Sequence, residues 1–335
     1  MVNALRDAEK LGFDTVQVFT KNQQQWQVKP LEQAAIDEWR AEQSRLAWDG
    51  RTVSHASYLI NLASHNDELW RKSLDLMTVE IERCEALGIA FLVHHPGSST
   101  GTTRDAGLAN IARAYAELLR RTAGYRTVLC LENTAGAGST IGGDFAELAR
   151  LRAMILEAAP AGARVGFCLD TCHMHAFGYD LGSRAGAERA LREFDELCGM
   201  DHLRVLHLND SKAKAGSKLD RHQHIGEGTI GGGDVAASGF SAVVNAPGLK
   251  GVPKILETPK EDNDGGIPWD TVNLARLKSL QGGSGGETKQ RAVAPGRRAA
   301  SKQPQPGQPA ITRARASKPG PSNPSAKKKS RKNKK

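Results

Sequence analysis

The chain has 335 residues, of which 39% are hydrophobic, and a formal net charge of +9. This is enough apolar material for one substantial core. No apolar run approaches the ~20 residues needed to cross a bilayer and no signal-like segment opens the chain, so a soluble protein with no membrane partner is expected.

The charge is unevenly placed. Residues 281–335 hold fifteen of the 46 Lys and Arg against Glu287 alone, which leaves 31 basic and 36 acidic side chains, a net of −5, in residues 1–280. An acidic body suits a site that gathers divalent cations. The five cysteines (Cys84, Cys130, Cys168, Cys172, Cys198) are an odd set without metal-knuckle spacing, which points to a reduced, intracellular protein.

In chain order, residues 3–11 have helical composition and stop at Gly12, a C-terminal cap. A strand near 14–19 follows, then a polar loop, Thr20 to Trp26. Pro30 is placed to open a helix running to about Leu46. Strands are expected near 51–55, 89–94, 126–132, 164–170, 203–208 and 252–257. Between Asp67 and Leu87, apolar residues at helical spacing (Leu69, Leu74, Met77, Ile81, Cys84, Leu87) predict a helix ended by Gly88. Segments near 106–122, 145–158 and 186–198 repeat that arrangement. Asp210 to Gly233 reads as a long loop insertion. From about residue 281 the composition turns to Gly, Ser, Pro, Gln, Ala and basic residues, a disordered tail. The expected division is therefore a barrel over 1–280 and a tail over 281–335.

The strand ends carry the functional signal. Val165 to Leu169 is an apolar run that delivers Asp170 and, three residues on, His173, where a strand is expected to give way to a loop. Comparable runs lead to His55, His95, Glu132, His207 and Glu257. Counted from His55, these six strand ends are 40, 37, 38, 37 and 50 residues apart, each step long enough for one βα unit. In a (β/α)₈ TIM barrel the C-terminal strand ends converge on one face. Only seven strands can be counted, so the opening strand is expected to be missing from this sequence or to leave a gap in the barrel.

Asp220 and His222, inside the insertion, complete a set of nine candidate ligands: His55, His95, Glu132, Asp170, His173, His207, Asp220, His222 and Glu257. Imidazole and carboxylate suit Zn²⁺, with Mn²⁺ or Fe²⁺ admitted by ligand type. Nine donors exceed the needs of one tetrahedral ion, and a bridging carboxylate would let them hold three. His94 and His224 neighbour ligands and are candidates to support them, whereas His65, His175 and His202 read as surface or packing residues. Clustered divalent ions with open positions favour phosphate-ester hydrolysis. There is no Gly-x-Ser-x-Gly elbow and no glycine-rich nucleotide loop to suggest another chemistry.

These residues sit in strings that resemble the endonuclease IV family of apurinic/apyrimidinic endonucleases: Phe19-Thr-Lys-Asn-Gln23, His55-Ala-Ser-Tyr-Leu-Ile-Asn-Leu62, His95-Pro-Gly-Ser98, Leu131-Glu-Asn-Thr-Ala-Gly136, Leu169-Asp-Thr-Cys-His173, His207-Leu-Asn-Asp210, Asp220-Arg-His222 with Gly226-Glu-Gly228, and Ile255-Leu-Glu-Thr258. The resemblance covers roughly residues 3–280. It implies a barrel with three zinc ions per chain that cleaves duplex DNA 5′ to an abasic site, leaving a 3′-hydroxyl and a 5′-deoxyribose phosphate, and that also accepts 3′-blocked lesions. It assigns one ion to His55, His95 and bridging Glu132, a second to Glu132, Asp170, His207 and Glu257, and a third to His173, Asp220 and His222, with Mn²⁺ an option at one position and Glu132 catalytic. Tyr58 and Leu59, with Gln23, Gln24 and Trp26, are assigned to distorting the DNA. Two departures stand out: the family's usual Gly-Ala-His-Val-Ser-type opening strand is absent, and Gln24 stands where an arginine is frequent.

The basic tail lies outside the resemblance and is expected to contact DNA phosphates without sequence preference. A monomer is expected, acting in a bacterial cytoplasm in association with the nucleoid, or in a nucleus if the source is eukaryotic. Two rival readings remain: a metal-dependent sugar isomerase or epimerase on the same barrel, and a non-catalytic DNA-binding relic.

Overall fold

Residues 1–282 are described by the computed structural model. The expected tail therefore lies, from residue 283 on, outside the described residues. Among the described residues no helix is long and apolar enough to cross a membrane.

Helix α1 (Val2–Lys10) leads into β1 (Gln17–Val18), and the chain then alternates: α2 (Gln33–Arg45), β2 (Val53–His55), α3 (Asp67–Leu87), β3 (Phe91–His94), α4 (Arg104–Arg121), β4 (Val128–Glu132), α5 (Phe145–Ala158) and β5 (Val165–Asp170). After β5 come α6 (Thr171–Phe177), α7 (Arg184–Cys198), β6 (Leu203–His207), a hairpin of β7 (Asp210–Ser211) and β8 (His222–Gln223), α8 (Gly239–Asn245), β9 (Lys254–Ile255) and α9 (Trp269–Ser279). Seven parallel strands form one sheet in the order β1-β2-β3-β4-β5-β6-β9, a nearly closed TIM barrel. All seven expected strands are present, and the sheet's two ends, β1 and β9, share no ladder.

Helix boundaries follow local chemistry. Asn66 caps α3 by accepting from the Leu69 amide at 2.9 Å, and Gly88 closes it with φ of 70°, the left-handed geometry that costs glycine least. Gly12, at φ 81°, likewise follows α1. Pro30 does not open α2, which begins three residues later at Gln33. Helix α8, helix α9 and the β7–β8 hairpin were not foreseen: α8 is only seven residues long, the hairpin lies in the segment read as loop, and α9 buries only Asn273 and Leu277, which leaves no apolar stripe to detect.

The barrel interior is lined by Val53, Val93, Cys130, Cys168, Val205 and Ile255, which pack on one another apart from the larger core under the helices. Side chains two residues apart on a strand share a face. Two residues beyond those six stand His55, His95, Glu132, Asp170, His207 and Glu257. The apolar layer is thus the floor on which the six candidate ligands stand.

Candidate metal centre

Strand β5 does not give way to a loop. Asp170 is the N-cap of α6, its Oδ1 accepting from the His173 amide at 2.8 Å. The three-residue spacing of Asp170 and His173 is that of an N-cap and the third helical residue, so the carboxylate that ends the strand also sets the helix that carries the imidazole. Its other oxygen, Oδ2, accepts from Asn209 Nδ2 at 2.6 Å and faces the site.

All nine candidates meet at the C-terminal end of the barrel, and three groups bring ligand atoms within 4.8 Å of one another: His55, His95 and Glu132; Glu132, Asp170, His207 and Glu257; and His173, Asp220 and His222. Glu132 Oε2 lies 3.0 Å from His55 Nε2 and 3.3 Å from His95 Nε2, while its Oε1 lies 3.0 Å from His207 Nδ1. His207 Nδ1 is 3.1 Å from Glu257 Oε2 and 3.8 Å from Asp170 Oδ2. Asp220 lies 3.0 Å from His173 Nε2 through one oxygen and 3.2 Å from His222 Nε2 through the other. The edge of a tetrahedron around zinc with bonds near 2.0–2.1 Å is about 3.3 Å, so these separations suit donors that share a cation.

Two further features fit that chemistry. His173 Nε2 and His222 Nε2 are buried without a hydrogen-bond partner despite their closeness to Asp220, an unmet need that a cation would fill. Four imidazoles also have their remote nitrogen tied down: His55 Nδ1 to the Ala56 carbonyl at 2.8 Å, His173 Nδ1 to that of Asn133 at 2.9 Å, His222 Nδ1 to that of Glu257 at 3.2 Å, and His207 Nε2 to the Gln17 side-chain oxygen at 2.8 Å. Such bonds fix the tautomer and leave the facing nitrogen bare.

Carboxylates and imidazoles of the cluster favour one another's charged forms: against the effect of burial, neighbouring acidic groups raise His55, His173 and His207 above the usual imidazole range and His222 to about 9. Burial opposes charge on Glu132, yet the imidazoles of His207 and His95, and the hydrogen bond from His173, hold it well below the usual carboxylate range. Burial likewise opposes charge on Glu257, which His207 nonetheless draws down to about 2. Four carboxylates thus gather at one end of the barrel.

Several supporting residues escaped the sequence reading. Asn209 donates to Asp170 and accepts from the Glu257 amide at 2.8 Å, which ties the ends of β5, β6 and β9 together. Asp210 accepts from the amides of Ser211, Gly226, Ile230 and Gly231, at 2.7–3.1 Å, and so anchors the segment around Asp220 and His222. Gln17 is a third. Asn209 and Asp210 end the string His207-Leu-Asn-Asp and were the visible signal. Cys168 and Cys172 also reach ligand range, of Glu132 with His207 and of Asp170 with His222 respectively. Burial pushes both thiols up to about 12.

His94 and His224 do not touch the ligand atoms. His94 bonds the His95 carbonyl and Tyr115, and His224 stacks on Trp269 at 4.1 Å and meets Asn273. Each is held by side chains outside the set of nine.

At the rim, the Tyr58 ring is 61% exposed and lies 5.2 Å from His55 and 5.7 Å from His95. Leu59 is half-buried against the core, while Gln24 and Trp26 are exposed and Gln23 half-buried on the neighbouring loop. Buried Glu80 on α3 joins the two loops, accepting from the Ser57 amide at 3.0 Å and the Thr20 hydroxyl at 3.2 Å. A carboxylate on the apolar row of a helix gave no reason to expect this.

Residues 5–280 match the family described as Xylose isomerase-like TIM barrel. A Chloroflexus aurantiacus protein named Probable endonuclease 4 is 42% identical over 276 residues, which is 82% of this chain and 92% of that protein. Among solved structures, endonuclease IV from Thermus thermophilus aligns with a TM-score of 0.70 and 32% identity, covering 83% of this chain and 93% of that one. A D-tagatose 3-epimerase-like protein aligns with a TM-score of 0.60 at 18% identity, covering 84% and 92%, a likeness of fold alone. On this identity and coverage the chain belongs to the endonuclease IV family of nucleases, hydrolases built on the xylose isomerase-like TIM barrel.

Proposed function

We propose that this protein is a zinc-dependent DNA-repair endonuclease that hydrolyses the phosphodiester 5′ to abasic sites in duplex DNA, leaving a 3′-hydroxyl and a 5′-deoxyribose phosphate, and that also acts at 3′-blocked ends. The observation that carries this reading is the number of donor groups: three sets, linked through Glu132 and through Asp170 beside His222. A sugar epimerase on this barrel can use ligands such as Glu132, Asp170, His207 and Glu257 with one or two metals, and leaves His173, Asp220 and His222 unexplained.

In this reading His55, His95 and Glu132 hold one zinc, Glu132, Asp170, His207 and Glu257 a second, and His173, Asp220 and His222 a third. When bound, such ions lower the pKa of water and clamp the attacking and leaving oxygens of an in-line displacement. The chain's own residues do the rest. Glu132 presents one oxygen to each of two sets and fixes their separation. Asp170 orients the second set while its cap on α6 aims His173 at the third. Tyr58 and Leu59, with Gln23, Gln24 and Trp26, distort the duplex, and expulsion of the damaged nucleotide costs least where base pairing and stacking are already lost. The segment 281–335 adds phosphate contacts that carry no sequence information. The protein acts as a monomer where the chromosome lies, in a bacterial setting the cytoplasm.

The test is nicking of a duplex bearing a tetrahydrofuran abasic analogue, by protein stripped with EDTA and by the same protein restored with zinc. Activity lost and regained, with about three zinc ions per chain, is expected. No nicking at any zinc level, or one exchangeable Mn²⁺ per chain with sugar epimerisation, overturns the proposal.

A further inference from the structure

We infer that Gln17 is a positioning residue of the centre, holding His207 and Glu257 as co-ligands of one ion across the open seam of the barrel. Strand β1 pairs Gln17 with Val53, which lines the interior, so Gln17 points inward. Its Nε2 donates to Glu257 Oε1 at 2.6 Å and its Oε1 accepts from His207 Nε2 at 2.8 Å. These bonds span the place where β1 and β9, the ends of the sheet, share no ladder.

The amide orientation follows from its partners. His207 Nδ1 lies among the oxygens of Glu132 and Glu257, so for it to serve as a donor to a cation the ring proton must sit on Nε2. That proton needs an acceptor, which the Gln17 oxygen supplies, and the Gln17 NH₂ then faces the Glu257 carboxylate. A side-chain amide accepts and donates from two adjacent atoms without having to titrate. The remote nitrogens of His55, His173 and His222 rest on main-chain carbonyls, which no substitution removes. His207 rests on a side chain. Gln17 also holds the Oε1 oxygen of Glu257, whose Oε2 faces His207 Nδ1 at 3.1 Å. Two members of the Glu132, Asp170, His207 and Glu257 set, one at the end of edge strand β9 and one on β6 beside it, therefore share Gln17 as a partner.

The inference rests on the reading of the centre as a three-zinc site, and its test separates the two. Zinc per chain is measured at a series of buffered free-zinc concentrations for the intact protein and for Gln17→Met, which keeps the length of the side chain but neither polar atom. The wild type is expected to hold about three ions. Gln17→Met is expected to hold two at free zinc that still saturates the wild type, and to regain the third only at about 10–100-fold higher free zinc, the size of effect seen when a partner behind a metal ligand is lost. Cobalt substitution should show the change in the visible spectrum of one ion out of three. Should Gln17→Met fail to fold, Gln17→Glu keeps the shape and the acceptor, places a carboxylate against Glu257, and should again weaken one ion alone. Three ions held at wild-type affinity by the variant, or an equal weakening of all three, overturns the positioning role. A wild type that holds no zinc overturns the reading of the centre and this inference with it.

Discussion

The floor and the rim of the centre are built in different ways. Glu132, Asp170 and His207 are fully buried on β4, β5 and β6, the longest run of neighbouring strands, whose ladder pairs Asp170 with His207 and Glu132 with Cys168. Backbone hydrogen bonds fix where these three residues stand on the barrel, while the side chains of Asn209, bonded to Asp170, and of Gln17, bonded to His207, set their orientation. The rim is looser: the Asp220 side chain is 45% exposed and that of His95 34%, and Asp220 and His222 arise from a hairpin outside the barrel. There the geometry is held by individual side chains, Asp210 beneath the hairpin and Gln17 at the seam. A residue's place set by strand register survives the loss of any one neighbour, whereas a side-chain orientation set by a single hydrogen bond does not.

Substitution in the floor should have the largest effect. Glu132→Gln is expected to keep its affinity for an abasic duplex, read by fluorescence anisotropy, and to lose at least about 10²-fold in single-turnover rate, because one neutral amide cannot serve two cation sets. Wild-type cleavage would remove Glu132 from its assigned role. One level outward, Asp210→Ala leaves several buried amides of the hairpin without an acceptor and should cost roughly 3 kcal/mol, measured by chemical denaturation. The comparison sharpens if the same variant also loses zinc from one set of three, and breaks if stability is unchanged.

At the rim itself, Tyr58→Ala should weaken binding to the abasic duplex by about tenfold, the lower part of the range for an aromatic side chain against a base, with zinc content unaltered. An equal loss on undamaged duplex would show that Tyr58 does not read the lesion. The smallest effect is expected from deleting 281–335: cleavage at low salt should persist while the slope of log affinity against log salt becomes shallower. An unchanged slope would leave the tail without a role in DNA binding.

The same contrast governs how much could be read in advance. The six candidate ligands at strand ends were legible because each closes an apolar run and the runs recur at the length of a βα unit; that His55, His95, Glu132, Asp170, His207 and Glu257 share the inner face was added by the structure. Asp220 and His222 were legible as a pair, but their hairpin was not, since two-residue strands leave no period to detect. The loop expected after Asp170 proved to be α6. An aspartate three residues before a histidine is also an N-cap signal, and the ligand reading of the pair obscured it.

Glu80, Asn209, Asp210 and Gln17 mark the other side of that boundary. Local composition placed the strands, the helices over the barrel and the chemistry at the strand ends, because those follow from patterns within a few residues of each other. Which polar side chain stands behind which ligand depends on atoms that the chain brings together from up to 240 positions apart, as Gln17 and Glu257 are. That pairing is an outcome of barrel closure, which no local pattern encodes.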